Sequence, residues 1–186
     1  MRIISGTYRG RVLRSPSGNK TRPTSDRLRE TLFNILQTKI DSGTRFLDLC
    51  AGTGAIGIEA ISRGAKFAVF VDISRRACAL IEENLDLLGI PENKTEVFQS
   101  SADDFLRRQD KKAEPWDIVF YDPPYQDNYV KVLQTIGDGE SNLLNNEGVL
   151  IAEHHAKNTL PDEVGELRRW RILKQGETHL SFYEKS

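Results

Sequence analysis

Apolar and polar positions along this chain alternate in blocks that predict strands and helices in turn. Short apolar runs typical of buried strands lie at residues 45–50, 67–71, 95–99, 116–121 and 147–153, and two later strands are predicted at 168–174 and 179–184. Helical periodicity separates these runs, with helices near 54–63, 75–88, 102–109 and beyond Asp127. A further helix, capped within Thr24-Ser25-Asp26, is predicted to run to about Lys39. Repeated strand–helix order predicts an α/β protein whose mostly parallel sheet carries helices on both faces.

The first predicted strand runs directly into a glycine-rich turn and then into a helix. Gly52 and Gly54 let the backbone come close to a ligand, and the free N–H groups of the following helix would point at it. The match to G-x-G-x-x-G that ends at Gly57, with Asp72 at the end of the next strand, keeps a dinucleotide site open. Asp48, taken to lie inside the turn, argues against that site, because a carboxylate there would repel a pyrophosphate.

A second motif, Asp122-Pro123-Pro124-Tyr125, ends the strand predicted at 116–121. Consecutive prolines cannot continue a sheet and hold the backbone extended, so they form a stiff ledge. The ledge suits a planar base with an exocyclic amine: Asp122 and the Pro123 carbonyl can accept its N–H groups, and Tyr125 can stack on the ring. A proline-stiffened loop without a ligand is the plainer alternative. The two motifs follow strands that should be neighbours at the switch point of such a sheet, where ligands bind.

Charge is distributed unevenly, although the net charge is only −1. Residues 1–30 carry eight basic and two acidic side chains, whereas the rest of the chain carries 18 basic and 25 acidic ones. A basic segment on an acidic body predicts a polyanionic partner, with a solvated charged face as the alternative. We expect residues 1–24 to form a small arm built on a hairpin of residues 2–5 and 11–14, and residues 25–186 to form the main domain.

Several classes of function are disfavoured by composition. No apolar run is long enough to span a bilayer and no signal-peptide pattern is present, so a cytoplasmic protein without a membrane partner is expected. Cys50 and Cys78 form no metal or redox motif, and the three histidines lack ligand spacing. No metal site is therefore expected.

Together these segments resemble the class I S-adenosylmethionine-dependent methyltransferases, and within them the bacterial 16S ribosomal RNA guanine-N2 methyltransferase family of the RsmD type. The resemblance covers nearly the whole chain, through residues 1–11, 21–36, 48–57, 122–125 and 176–183. It implies a Rossmann-like class I methyltransferase fold with a seven-stranded sheet and an N-terminal β-hairpin arm.

The resemblance also implies roles for individual residues. S-adenosylmethionine would be held by Asp48, Cys50, Ala51, Gly52, Gly54, Asp72, Ile73, Ser101, Ala102 and Asp122. Among these, Asp48 would lie near the methionine amino group and Asp72 at the ribose hydroxyls, while Ser101-Ala102 replaces the Asp-Ala or Asn-Ala pair that commonly meets the adenine. The catalytic set would be Asp122, Pro123, Pro124 and Tyr125, and the RNA-binding set Arg9, Arg11, Arg22 and Arg29.

The activity implied is methyl transfer to N2 of one guanine in 16S ribosomal RNA, within the small subunit or an assembly intermediate, by a monomer. An adenine-N6 methyltransferase acting on RNA or DNA stays open, because the same ledge serves any exocyclic amine. A nucleotide-dependent oxidoreductase would instead bind NAD. A non-catalytic RNA-binding assembly factor is the third alternative.

Overall fold

The computed structural model describes residues 1–16, 25–109, 114–124 and 128–186. Within these ranges a single sheet has the order β3-β2-β1-β4-β5-β8-β7-β6. The strands are β1 Arg45–Leu49, β2 Phe67–Asp72, β3 Thr95–Gln99, β4 Trp116–Tyr121, β5 Leu144–His155, β6 Glu163–Val164, β7 Leu167–Gln175 and β8 Thr178–Lys185. The first five pair in parallel, and β8, β7 and β6 add antiparallel strands at one side. The predicted mostly parallel α/β sheet is therefore confirmed.

Five α-helices lie against this sheet in the described ranges. They are α1 Asp26–Ile35, α2 Ala55–Ser62, α3 Arg75–Leu88, α4 Ala102–Arg108 and α5 Tyr129–Gly137. Ser25 caps α1 through a hydrogen bond from the Leu28 amide to its hydroxyl (3.1 Å), as the sequence predicts. Thr24, the other predicted capping residue, lies outside the described residues. The helix ends at Ile35 rather than near Lys39, because residues 36–39 turn tightly, with the Lys39 amide bonded to the Leu36 carbonyl.

Side chains on the two faces of the sheet form two separate cores. On one face α1, α2 and α3 pack over residues such as Phe46, Phe70 and Phe120. On the other face α4 and α5 cover residues such as Leu47 and Val119. Helices therefore cover both faces, as expected for a sheet built from parallel crossovers.

The strand count differs from the seven strands that the family resemblance implied. The eighth, β6, is only two residues long and pairs with β7 through Glu163 and Val164. It adds a short edge and leaves the order of the parallel strands unchanged. In the described parts of the chain, no helix combines the length and apolar character needed to cross a membrane.

The N-terminal arm docks onto the first of these cores. Arg2 and Val12 form an antiparallel bridge, and the Ile3 amide donates to the Arg11 carbonyl at 2.9 Å. The predicted hairpin is thus present as a short antiparallel pair. Ile3 and Leu13 are buried among the α1–α3 side chains. The proposed arm boundary at residue 24 lies outside the described residues and stays a prediction.

Candidate functional site

Acidic residues meet where the parallel strands end. Asp48 is the fourth residue of β1, Asp72 ends β2, Asp122 directly follows β4, and Glu153 lies near the end of β5. Strand alternation places all four on the face packed by α1, α2 and α3. Because β1 pairs with both β2 and β4, this edge is the predicted switch point of the sheet.

The turn after β1 leaves space for a ligand. Cys50 has a positive φ of 61°, which is rare for a residue with a side chain and typical of a constrained site. Gly52 also has a positive φ, 57°, and a Cβ added there would meet nothing within 4 Å. The backbone above Gly52 is therefore open to a close approach by another molecule.

The other glycines of the turn have packing roles. Gly54, with φ 74°, is the N-cap of α2, and a Cβ there would press on Ile81 at 3.1 Å. A Cβ on Gly57 would lie 2.4 Å from the Phe70 ring, so this glycine lets α2 sit close on β2. Gly52 therefore leaves room for a ligand, Gly54 allows the turn into α2, and Gly57 allows α2 to pack against β2.

Asp72 ties together the turns after β1 and β2. One carboxylate oxygen accepts the Gly52 amide at 2.9 Å, and the other accepts the Ser74 amide at 2.8 Å. Each oxygen keeps a second lone pair, with which it can accept a ligand hydroxyl. The neighbouring Ile73 side chain is 73% exposed, so an apolar surface lies beside these acceptors.

Asp48 differs from the sequence prediction in its position. It lies inside β1, not in the turn, and it is buried. Its carboxyl group accepts the Gly57 amide at 2.9 Å, which satisfies a free N–H in the first turn of α2. Burial is the main cause that raises the pKa of Asp48 to about 8; the Gly57 hydrogen bond opposes it, and the charge of Asp72 adds a smaller increase. The placement of Asp48 inside the turn was therefore wrong, and its burial in β1 makes the carboxyl group harder to ionise than a free one.

The Asp-Pro-Pro ledge begins where β4 still pairs with β1. The Asp122 amide donates to the Leu49 carbonyl at 3.3 Å. Pro123 is buried and Pro124 is exposed, so the chain turns outward at this point. Tyr125, the predicted stacking residue, lies outside the described residues, and its role stays a prediction.

The carboxyl group of Asp122 lies in an acidic environment. Burial is the first cause that raises its pKa well above the usual range, and the charges of Glu153 and Asp48 raise it further. Glu153 carries no motif that marks it in the sequence. Its signal, an acid at the end of an apolar strand, appears only once β5 is known to lie beside β4.

Ser101 and Ala102 lie beside the same edge, at the start of α4. The Ser101 hydroxyl caps this helix by accepting the Asp104 amide at 3.1 Å. The Ser100 amide donates to the Asp72 carbonyl at 3.0 Å, which holds this turn against the end of β2. A cavity of about 230 Å³ opens next to it, lined also by Asp103, Tyr121, Asn128, Lys131 and Val132.

The predicted RNA-binding arginines fall into three groups. Arg9 and Arg11 are exposed, and neither forms an ion pair with another described residue. Arg22 lies outside the described residues. Arg29 is fully buried, and its guanidinium donates to the Asp26 carboxylate at 2.7 Å and to a backbone carbonyl of the arm at 2.8 Å. This burial contradicts an RNA contact by Arg29, because an enclosed guanidinium cannot reach a phosphate.

Two buried polar residues that the sequence analysis passed over hold the arm in place. Glu59 of α2 accepts the Ile4 amide at 2.8 Å and the Ser5 amide at 3.0 Å. Asn84 of α3 accepts the Arg14 amide at 2.7 Å and donates to the Thr53 carbonyl at 3.1 Å. Asn84 therefore connects the end of the arm to the glycine turn.

Comparisons with known proteins identify the family. The family described as Conserved hypothetical protein 95 matches residues 1–184. Ribosomal RNA small subunit methyltransferase D of Escherichia coli is 38% identical over 162 residues, which cover 87% of this chain and 78% of that protein. The protein of the same name from Haemophilus influenzae is 32% identical, covering 98% of this chain and 91% of that protein.

A solved structure supports the same assignment. The yhhF protein from Escherichia coli superposes with a TM-score of 0.86 at 34% identity, covering 100% of this chain and 98% of that one. The predicted Rossmann-like class I fold and the predicted family are thus confirmed together. The chain belongs to the family described as Conserved hypothetical protein 95, the RsmD-type methyltransferases.

Proposed function

We propose that this protein transfers a methyl group from S-adenosylmethionine to the exocyclic N2 amine of a guanine in small-subunit (16S) ribosomal RNA. The observation that carries this proposal is the placement of the Asp122 carboxyl group at the end of β4, beside the open glycine turn of β1. The names of the relatives support ribosomal RNA of the small subunit as the substrate.

The residues around the turn fit the proposed cofactor. The open space above Gly52 admits a ligand, and the spare lone pairs of Asp72 suit ribose hydroxyls. The exposed Ile73 and the turn at Ser101 and Ala102 would flank the adenine. Asp48 would support the ligand from beneath the turn, where its carboxyl group accepts the Gly57 amide. When bound, S-adenosylmethionine supplies a methyl group activated by a sulfonium.

Asp122 and Pro123 would act on the amine itself. Guanine N2 is a weak nucleophile, because its lone pair is delocalised into the ring. Hydrogen bonds from its N–H groups to the Asp122 carboxylate and the Pro123 carbonyl would hold the nitrogen with its lone pair directed at the methyl carbon. Positioning and fixed electrostatics of this kind supply most of the rate in many enzymes. The target base would have to leave its stack to reach the ledge.

The arm would supply affinity for the RNA backbone. Exposed arginines that form no ion pair with another described residue, such as Arg9 and Arg11, are suited to phosphates, whose contacts make binding depend on salt. The pairing of the arm with Glu59 and Asn84 fixes its position relative to the glycine turn. We infer that the arm grips RNA close to the modified base, in the free RNA or in an assembling subunit. We further propose that the enzyme acts as a monomer, needs no metal and works in the cytoplasm.

The test is Asp122→Asn, which keeps the size of the side chain and replaces one carboxyl oxygen, a proton acceptor, with an amide NH2 group. Methyl transfer to small subunits that lack the modification should fall at least 100-fold, the scale of lost acid–base and positioning groups. Binding of S-adenosylhomocysteine, measured by calorimetry, should stay within a few-fold. Glu163→Gln, an exposed change on β6, is the matched control and should retain full activity. Full activity in Asp122→Asn would contradict the proposal.

A further inference from the structure

Strand β7 concentrates positive charge on a body that is otherwise acidic. Its residues, Leu167–Gln175, include three arginines and one lysine and no acidic residue, whereas the chain beyond residue 30 carries 18 basic and 25 acidic side chains. Arg168 and Arg169 each have an acidic partner, but Arg171 and Lys174 form no ion pair with another described residue. The proposed methyl-transfer site does not use this strand.

A β-bulge at Trp170 brings an aromatic ring and a cation to the same face of the sheet. The register between β7 and β8 shifts between Arg169 and Arg171, and Arg171 is then the partner of Phe182. The Trp170 and Phe182 ring centroids are 5.5 Å apart, so both bulge residues lie over this one partner. Phe182 belongs to the core beneath α1, α2 and α3. Trp170 and Arg171 therefore lie on the face onto which the arm docks.

Both side chains are accessible to a partner. Trp170 is 45% exposed, although large aromatic side chains are usually mostly buried. Arg171 is exposed as well. Glu184, the acidic residue of β8 on this face, is paired with Lys39 at 3.1 Å, which offsets its charge. The bulge therefore presents an aromatic surface and a positive charge side by side.

Trp170 also lies near the level of the Asp-Pro-Pro ledge. Its neighbour Phe182 pairs with Ile151 of β5, and Ile151 pairs with Phe120 of β4, two residues before Asp122. The sheet order places three strand spacings between β4 and β7, so Trp170 lies roughly 14 Å across the sheet from the ledge. One RNA molecule can contact both places at this separation.

We propose that Trp170 and Arg171 form a second RNA-binding surface, on which Trp170 stacks on an unpaired base and Arg171 binds the adjoining phosphate. This inference rests on the proposed function, because it concerns a further contact with the same RNA. An aromatic ring beside a cation is the pattern with which proteins bind single strands, since stacking holds the base and the cation holds the backbone. A protein partner would also be held by tryptophan and arginine, but positive charge concentrated on an acidic body favours a polyanion.

Tryptophan fluorescence tests the stacking contact directly. The chain has two tryptophans, and Trp116 is only 3% exposed, so Trp170 is the one that a base can reach. A mixed-sequence single-stranded oligoribonucleotide, added without cofactor, should quench the wild-type emission, because stacking tolerates any base. In Trp170→Phe the remaining emission of Trp116 should not respond. Binding without quenching, or quenching that persists in Trp170→Phe, would overturn the proposal.

Affinity for the same oligoribonucleotide, measured by filter binding, is the second test. Trp170→Ala should weaken binding roughly 5- to 100-fold, the range for one stacked base, and Trp170→Phe, which keeps a ring, should retain most of the affinity. Arg171→Ala should make the slope of log affinity against log salt concentration shallower by about 0.7. Lys174→Ala is the matched control, because Lys174 is an exposed cation of the same strand that pairs with His179 and points to the other face. Losses no larger than those in Lys174→Ala would overturn the proposal.

A methyl-transfer assay on the same preparations separates this inference from the proposed function. Transfer to guanine N2 by a protein whose Trp170 is not quenched overturns the second RNA-binding surface alone. Quenching and the expected affinity losses in a protein that transfers no methyl group support the RNA contact and overturn the proposed function. If Trp170→Ala weakens binding to small subunits but not to the oligoribonucleotide or to naked 16S RNA, the partner of this surface is a ribosomal protein, and the proposal is overturned.

Discussion

Asp48→Asn should make the protein more stable at neutral pH, and the gain should grow with pH. The wild-type carboxyl group has its pKa raised from 3.8 to about 8 in the folded state, mainly by burial. Because the folded state holds the proton of Asp48 more tightly than the unfolded state does, protonated Asp48 favours folding. This contribution to the free energy of unfolding is fully present below pH 3.8 and is lost as the pH rises through about 8. Asparagine has no proton to lose, and its carbonyl can still accept the Gly57 amide.

The expected magnitude follows from the shift. Each pH unit between the unfolded and folded pKa values changes the free energy of unfolding by about 1.4 kcal/mol. Between pH 5 and pH 7 the difference between Asp48→Asn and wild type should thus grow by roughly 3 kcal/mol, as an upper figure before structural relaxation. Urea unfolding at pH 5, 6, 7 and 8 measures this difference, with Glu163→Gln as a control whose stability should run parallel to wild type. Parallel curves for Asp48→Asn would refute the assignment of a neutral buried Asp48.

Two further predictions concern ligand binding. Asp72→Ala should weaken S-adenosylhomocysteine binding in calorimetry by about 1–3 kcal/mol, the scale of a lost hydrogen bond to a charged group, and an unchanged dissociation constant would exclude the ribose role. Replacing Arg9 and Arg11 together by alanine should remove about two phosphate contacts. The slope of log RNA affinity against log salt concentration, measured by filter binding, should therefore become shallower by about 2. The exposed pair Lys94 and Arg108 is the control; an equal change there would mean that charge in general, not the arm, sets the slope.

Local sequence signals located the elements and the two motifs of the site. The bounds of α3 agree with the prediction because both ends are marked locally, by the Ser74 cap and by Gly89 with φ 65°. The order of strands β1 and β4 followed from general rules of parallel sheets. Asp48 was misplaced because an acid within an apolar strand reads as the start of a turn when its partner, the Gly57 amide, is not yet known.

The remaining features depend on contacts between distant parts of the chain. Glu59 contacts the arm 55 residues away, and Asn84 contacts it across 70 residues. Arg29 reads as a solvent-facing basic residue in sequence, yet the arm carbonyl of Arg2 and the start of α1 enclose it. Such partners carry no periodic signal, so only the folded arrangement reveals them.

The decisive measurement is the identity of the methylated nucleoside. Labelled methyl groups from S-adenosylmethionine would be offered to naked 16S RNA, to small subunits lacking the modification and to duplex DNA, and the products digested to nucleosides. We expect N2-methylguanosine from a ribosomal substrate and no label in DNA. N6-methyladenine, or RNA binding without any transfer, would contradict this expectation.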